Sequence, residues 1–184
     1  QAGRIGAACE SWHACLSLSD RYLEDVLVLA GRHLSAVRTV EDVLPESPAL
    51  LVRLARERYQ ADEHEEMRRL LAERAGRLLD EVDLPEDERH YLRAAAFSLR
   101  GLDSEAIASL LGAVELRPGE ASWRYEVAVL LKGAGRIDEA HEQARLAARL
   151  APRNGTYRAL LKEINHARAG VRSGGRSGES AQRP

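Results

Sequence analysis

The sequence predicts an all-α protein, a right-handed solenoid of antiparallel helix pairs with about 8–10 helices. Three observations predict this class. Small residues, glycine and proline recur in the second half of the chain with a period of about 34 residues. Between these marks, apolar residues recur at helical spacing. Finally, 45% of the 184 residues are hydrophobic, which can supply a sizeable core.

The period is clearest between residues 86 and 153, where two consecutive units match without a gap. Ala94, Gly101, Ala106, Ala113 and Pro118 align with Ala128, Gly135, Ala140, Ala147 and Pro152. We predict repeats at 86–119 and 120–153, with helices at 86–99, 104–116, 120–133 and 137–150. Ala94, Ala106, Ala128 and Ala140 are expected at close helix crossings, and Gly133–Gly135 in the turn between two helices.

This pattern resembles the tetratricopeptide repeat family, in which small residues lie at the helix crossing, glycine in the turn and proline at the exit. The resemblance implies a helical scaffold that binds other proteins in a concave groove lined by the first helix of each pair. It does not name the partner.

The first residues resemble the second helix of a truncated repeat. Gly3, Ile5, Ala8, Trp12, Cys15 and Leu18 keep the spacing of Gly135, Ile137, Ala140, Ala144, Ala147 and Leu150. We therefore predict a truncated repeat at 3–21. Because a truncated repeat would leave an apolar face uncovered, the natural protein is expected to continue upstream of Gln1.

The middle block, 22–84, keeps the helix-hairpin pattern but loses the period, and is predicted to form divergent helical hairpins. One helix is expected at 22–33, with a broad buried face of Tyr22, Leu23, Val26, Leu27, Leu29 and Ala30. A shorter helix is expected at 35–43. Ser47 followed by Pro48 predicts a helix start. The Ser side chain can cap free N–H groups, and Pro fits the first turn because it has no N–H group that would lack a partner. A further helix is expected at 62–81.

The C-terminal segment 155–168 is predicted to be an amphipathic helix that caps the array. The whole solenoid would then be a single domain at 1–169. The tail at 170–184, rich in Gly, Ser and Arg, is predicted to be disordered because it cannot bury enough apolar surface.

Charge and hydropathy limit the partners. With 27 basic and 29 acidic residues, the chain is close to neutral, which argues against a nucleic acid or an anionic membrane as main partner.

The tail arginines Arg168, Arg172, Arg176 and Arg183 could touch RNA or acidic lipid, but we favour a solubilising terminus because no aromatic residue lies between them. No apolar run is long enough to span a bilayer. Two unpaired thiols suit the cytosol. We expect a cytoplasmic location, with association with the cell envelope as the alternative if the chain belongs to a membrane protein.

No motif for catalysis, a cofactor or a metal is complete. His64-Glu65-Glu66 lacks a second histidine four residues on, where Arg68 stands. Gly133-Ala134-Gly135 lacks the third glycine of a dinucleotide fingerprint and follows a helix instead of a strand. Cys9 and Cys15 are predicted to be unpaired core residues, since a six-residue spacing on a helix points them to different faces. The chain is therefore predicted to be no enzyme and to bind neither cofactor nor metal.

The repeat resemblance implies a partner-binding groove on the first helices. The matching positions are Tyr91, Ala95, Ser98, Leu99, Tyr125, Val129 and Lys132. For Tyr91 and Tyr125 an equal alternative is packing between adjacent first helices. Family members that bind chaperone tails use a clamp of Lys and Asn, and here the groove positions hold Tyr, Ala and Val. Capture of a chaperone tail is therefore disfavoured, and a protein or peptide segment is the expected partner.

A second resemblance concerns the first third of the chain. Trp12, Leu16, Leu18, Arg21, Tyr22 and Leu23, then Val43-Leu44-Pro45 and Leu50-Leu51, resemble the soluble helical segment of bacterial O-antigen ligase or polymerase-like membrane proteins. This resemblance implies an alternative function as the extramembrane domain of a cell-envelope polysaccharide protein. The membrane spans and the chemistry would then lie upstream.

Overall fold

The protein is all-α throughout the part of the chain that the structure describes. A computed structural model describes the backbone of residues 2–174 and the side chains of residues 5–169. The helices are α1 (Ala2–Leu18), α2 (Leu23–His33), α3 (Ala36–Arg38), α4 (Pro48–Glu57), α5 (Glu65–Leu78), α6 (Glu86–Leu99), α7 (Asp103–Leu116), α8 (Ala121–Gly133), α9 (Ile137–Leu150) and α10 (Gly155–Gly174). The predicted fold class is confirmed.

Short helical turns connect some of these elements. The 3-10 turns Asp20–Tyr22 and Asp62–His64 lead into α2 and α5, and the π-helical turn Thr39–Val43 continues α3. None of the described helices has the length and apolar character that crossing a bilayer requires.

The described residues divide into two compact units. The single domain at 1–169 stays a prediction. The first unit is drawn from Gln1–Pro85 and Leu92–Leu102, and the second from Glu86–Tyr91 and Asp103–Pro184. The boundary between Pro85 and Glu86 falls where the 34-residue period begins. The first unit therefore combines the predicted truncated repeat and divergent hairpins with most of α6 and the turn after it.

Helix starts follow the capping signals of the sequence. The Ser47 hydroxyl accepts a hydrogen bond from the Leu50 N–H at 3.3 Å, and Pro48 occupies the first turn, as predicted. The Asn154 side chain accepts from the N–H groups of Thr156 and Tyr157 at 2.9 and 3.3 Å. These side chains satisfy N–H groups that have no partner within the helix.

Two glycines close the turns of the repeats. Gly101 follows α6 with φ of 72°, and Gly135 follows α8 with φ of 74°. They are the only residues with positive φ in the part of the chain that the structure describes. Residues with a Cβ adopt this conformation at a cost, so the glycine period reflects a backbone requirement.

The helices of the second unit pack through small residues. Ala106, Ala113, Ala128, Ala140 and Ala147 are fully buried. Helices α8 and α9 are joined by a three-residue connection, 134–136, and pack against each other. A connection this short makes neighbouring helices antiparallel. Ala94, Ala106, Ala128 and Ala140 are all buried, and their placement at close helix crossings stays a prediction.

The first unit is built around a buried arginine that the sequence did not reveal. The Arg74 side chain on α5 donates hydrogen bonds to the Val40 carbonyl and, at 3.0 Å, to the Leu44 carbonyl. Its guanidinium Nε also lies 3.8 Å from the Glu41 carboxylate. Burial lowers the pKa of Arg74 below its usual value, while the Glu41 carboxylate acts in the opposite direction. Arg74 thereby ties α5 to carbonyls of the π-helical turn and the residue after it.

Cys9 and Cys15 are unpaired in the structure, as predicted, and Cys9 is buried. Cys15 is half-buried, so only Cys9 is a full core residue. Both lie on α1.

Two sequence predictions differ from the structure. Tyr22 and Leu29 were expected on the buried face of α2 but are exposed, because α2 buries only the side that carries Leu23, Val26, Leu27 and Ala30. The last helix was expected to end at Arg168 but continues to Gly174, since extending an existing helix costs little where no proline interrupts it. The rest of the predicted tail, 175–184, lies outside the described residues.

Replacing Gly135 by Ala should lower the free energy of unfolding by about 1–2 kcal/mol, because Ala disfavours positive φ. The matched control is Gly133→Ala in the same turn region, where an added Cβ meets no atom within 4 Å and φ is not positive. This control should leave stability unchanged or raise it by up to about 1 kcal/mol. Chemical denaturation measures both, and equal effects of the two changes would contradict the assigned turn.

Replacing Arg74 by Met should lower the free energy of unfolding by about 2–3 kcal/mol, because two buried carbonyls lose a charged donor. Arg77→Met on the same helix is the control, since the Arg77 side chain is 56% exposed against 7% for Arg74. It should cost less than about 1 kcal/mol, as exposed ion pairs do. Urea titrations followed by circular dichroism compare the two. If both variants lost a similar amount of unfolding free energy, Arg74 would not be central to the stability of the first unit.

Candidate binding face of the second unit

Helix α8 has one side that its own unit covers only in part. Ser122, Tyr125, Val129 and Gly133 follow one another at spacings of three or four residues, which places them on one side of the helix. We call these four residues the open stripe. Val129 is 41% exposed, Ser122 and Gly133 are exposed, and Tyr125 is half-buried. The opposite side of α8, with Val127, Ala128 and Leu131, is buried.

The rings along α8 pack against aromatic residues of neighbouring elements of the second unit. The Tyr125 and Tyr157 rings are stacked, with centroids 5.0 Å apart and planes at 29°. The Tyr91 and Trp123 rings are also stacked, at 5.3 Å and 15°. Both distances lie in the range that aromatic pairs prefer. Tyr91 on α6 therefore packs against the next first helix, α8, and Tyr125 on α8 packs against the last helix, α10. The role of the two tyrosines as partner contacts stays a prediction.

Polar groups contact both rings of the Tyr91–Trp123 stack. The Tyr91 hydroxyl donates to the Glu126 carboxylate at 3.1 Å. The Arg117 guanidinium lies over the Trp123 ring, 5.8 Å from its centroid, and forms an ion pair with Asp87. A cation–π contact of this kind adds to the packing of the Trp123 ring and fixes its orientation. The rings beside the open stripe are therefore held in place before any partner binds.

Lys132 is engaged in an ion pair. Its ammonium lies 2.5 Å from the Glu163 carboxylate on α10, and both side chains keep contact with solvent. An exposed pair of this kind contributes up to about 1 kcal/mol to stability. Lys132 can therefore exchange Glu163 for an acidic group of a partner at small cost.

The predicted groove residues divide between the two units. Tyr91, Tyr125, Val129 and Lys132 belong to the second unit, and Ala95, Ser98 and Leu99 belong to the first. Ala95 is only 1% exposed, so it is a packing residue and is removed from the candidate contacts.

Ser98 and Leu99 line a cleft within the first unit. The cleft has a volume of about 600 Å³, which lies in the range of small binding sites. Its walls include Arg68 and Arg69 from α5 and Arg100 from the turn after α6. Ser98 and Leu99 are half-buried. These two predicted contacts are therefore accessible, beside basic side chains that the sequence prediction did not include.

The sequence prediction missed Ser122 and Gly133. Their helical spacing from Tyr125 and Val129 was a signal that could have found them, because positions three or four residues apart share a helix face. It also missed Trp123, which had no such signal. Its stacking on Tyr91 joins residues 32 positions apart.

No group of three His, Cys, Asp or Glu side chains in the described part of the chain is placed to hold a metal ion. The predicted absence of enzymatic activity, cofactor and metal stays a prediction.

Comparison with known proteins is limited. No protein-family model matches the chain, and no curated protein matches it. Among solved structures, the chain is similar to PcrH in the crystal structure of PcrH in complex with the chaperone binding region of PopB. The identity is 18%, the TM-score is 0.44, and the match covers 65% of this chain and 92% of the PcrH chain. A likeness this distant leaves the function to be inferred from the residues of this chain.

The Tyr125–Tyr157 stack should stabilise the second unit. A double-mutant cycle with Tyr125→Leu and Tyr157→Leu should give a coupling energy of about 0.5–1.5 kcal/mol, the range for stacked rings. Tyr125→Leu combined with Tyr91→Leu is the control, since no ring contact joins these two tyrosines among the described residues. Chemical denaturation provides the four stabilities of each cycle. Equal coupling in both cycles would contradict the stack.

Proposed function

We propose that the chain is a non-catalytic protein-interaction scaffold that binds a peptide or helical segment along α8. The observation that supports this proposal is the open stripe, whose residues remain accessible while the opposite side of α8 is buried. An accessible helix face that offers an aromatic ring and an aliphatic side chain is typical of protein-binding surfaces.

The open stripe favours a partner with apolar side chains at helical spacing. Val129 offers an apolar contact, and the half-buried Tyr125 ring offers a larger one. At Gly133 no atom lies within 4 Å of an added Cβ, so a partner backbone could approach closely. These features suit a helix that lies along a groove with anchors three or four residues apart.

The partner should also carry an acidic group beside its apolar anchors. Lys132 lies one turn from Val129 and can bind a carboxylate in place of Glu163. Ser98 and Leu99 line a cleft of the first unit together with three arginines and two glutamates, and we propose them as contacts of that unit by itself. Because one helix face buries a small area, we expect micromolar affinity.

The alternative function as the extramembrane domain of a cell-envelope polysaccharide protein stays a prediction. No observation on the described residues favours it over the scaffold.

Selection from a peptide library displayed on phage tests the proposal. The purified 184-residue chain should enrich amphipathic sequences with apolar residues at helical spacing next to Asp or Glu. Gly133→Trp should weaken the enriched peptides by about tenfold or more, because the ring fills the open end of the stripe; tenfold corresponds to about 1.4 kcal/mol. Fluorescence anisotropy with labelled peptides measures the change.

Gly119→Trp is the matched control, because Gly119 is also exposed and an added Cβ there also meets no atom within 4 Å. It should leave peptide affinity unchanged. If both Trp variants bind equally well while folded by circular dichroism, the partner does not use the open stripe. If no helical pattern is enriched, the scaffold proposal loses its support.

A further inference from the structure

Helix α2 has a second apolar surface that faces solvent. Its buried side carries Leu23, Val26, Leu27 and Ala30. On the opposite side, Asp25, Val28, Leu29 and Arg32 are exposed, and Val28 and Leu29 keep 48% and 42% of their surface. The spacing of three, four and seven residues from Asp25 places all four on one stripe of the helix. We call them the α2 stripe.

Further exposed apolar residues lie close in sequence to the α2 stripe. Leu18, which ends α1, is 89% exposed, and Tyr22 and Val37 are about half exposed. An apolar surface of this kind on a protein marks an interaction site more often than chance. The order of residues in the α2 stripe indicates which partner fits it.

The α2 stripe is complementary to itself in the antiparallel direction. Its midpoint falls between Val28 and Leu29, with Asp25 three residues before Val28 and Arg32 three residues after Leu29. If a second α2 runs antiparallel about this midpoint, Asp25 faces Arg32 of the partner subunit and Val28 faces Leu29 of the partner subunit. A two-fold axis produces each pair twice.

The two charged residues are available for this pairing. Neither Asp25 nor Arg32 makes an ion pair or side-chain hydrogen bond with another residue in the described range. Their neighbour Glu24, in contrast, is already paired with Arg58. A charged residue without an internal partner beside an apolar centre is typical of the rim of an interface.

We propose that the α2 stripe is a homodimer interface, in which α2 packs antiparallel against α2 of a second copy. The equal number of acidic and basic residues in the stripe favours this partner over an anionic membrane, which would attract an excess of Lys and Arg. It also favours it over a strongly charged protein partner, which would leave one of the two charges opposed.

The size of the surface predicts a weak dimer. The 11 residues of α2 extend about 16 Å at 1.5 Å per residue. Contact along one short helix lies at the small end of specific interfaces, although Leu18, Tyr22 and Val37 would widen it. We therefore expect a dissociation constant in the micromolar range.

Charge reversal tests both the interface and its antiparallel register. Asp25→Arg alone and Arg32→Asp alone should each weaken dimerisation by about tenfold or more, because like charges then face each other at both ends. Mixing these two variants in equal amounts should restore a dimer, since every Arg then faces an Asp. Sedimentation velocity across a concentration series measures the dissociation constants.

Glu115→Arg is the matched control, because Glu115 is exposed on α7 in the second unit and lies outside the α2 stripe. It should dimerise like the unchanged chain. Leu29→Glu should also abolish the dimer and remain folded by circular dichroism, because Leu29 is exposed.

Three outcomes would overturn the proposal. The unchanged chain could remain monomeric at about 1 mM, which is well above the micromolar range expected for a small interface. A dimer could persist in all three α2 variants, which would place the interface elsewhere. Finally, the mixture of the two charge variants could stay monomeric, which would exclude the antiparallel register.

Discussion

The structure depends on helices that pack closely through small side chains. In the second unit, Ala128 and Ala140 are fully buried on two helices joined by a short turn. A larger side chain at either position would separate the two helices or force strained rotamers, because protein interiors are densely packed. Gly135 then allows the sharp turn between them through its positive φ. The small residues and the turn glycine therefore serve the same purpose, which is the close packing of two helices joined by a short turn.

The first unit meets the same requirement to bury helix faces in a different way. It lacks the 34-residue period over residues 22–84, and it contains a π-helical turn at Thr39–Val43. Arg74 reaches the Val40 and Leu44 carbonyls from α5 and satisfies them inside the core. A buried charge is costly unless it is hydrogen-bonded, and here the carbonyls and the nearby Glu41 compensate it.

Both proposed interaction surfaces arise because one helix has two different sides. Helices α2 and α8 each bury one side in their own unit and expose a stripe on the other. On α8 the aromatic rings beside the stripe are held by stacking, so a partner would meet an ordered surface. On α2 the stripe has an acidic and a basic end around an apolar centre, which suits a two-fold symmetric contact.

The sequence by itself determined the fold class, the repeat turns and most helix boundaries, because periodicity, capping and glycine requirements act over a few neighbouring residues. It also singled out Tyr91 and Tyr125, either as partner contacts or as packing residues between adjacent helices. Only the tertiary structure decided which side of α2 is exposed, that Ala95 is buried, and that Arg74 lies in the core. It also decided the stacking partners Trp123 and Tyr157. These features depend on contacts between residues about 30 positions apart, and local spacing carries no information about such contacts.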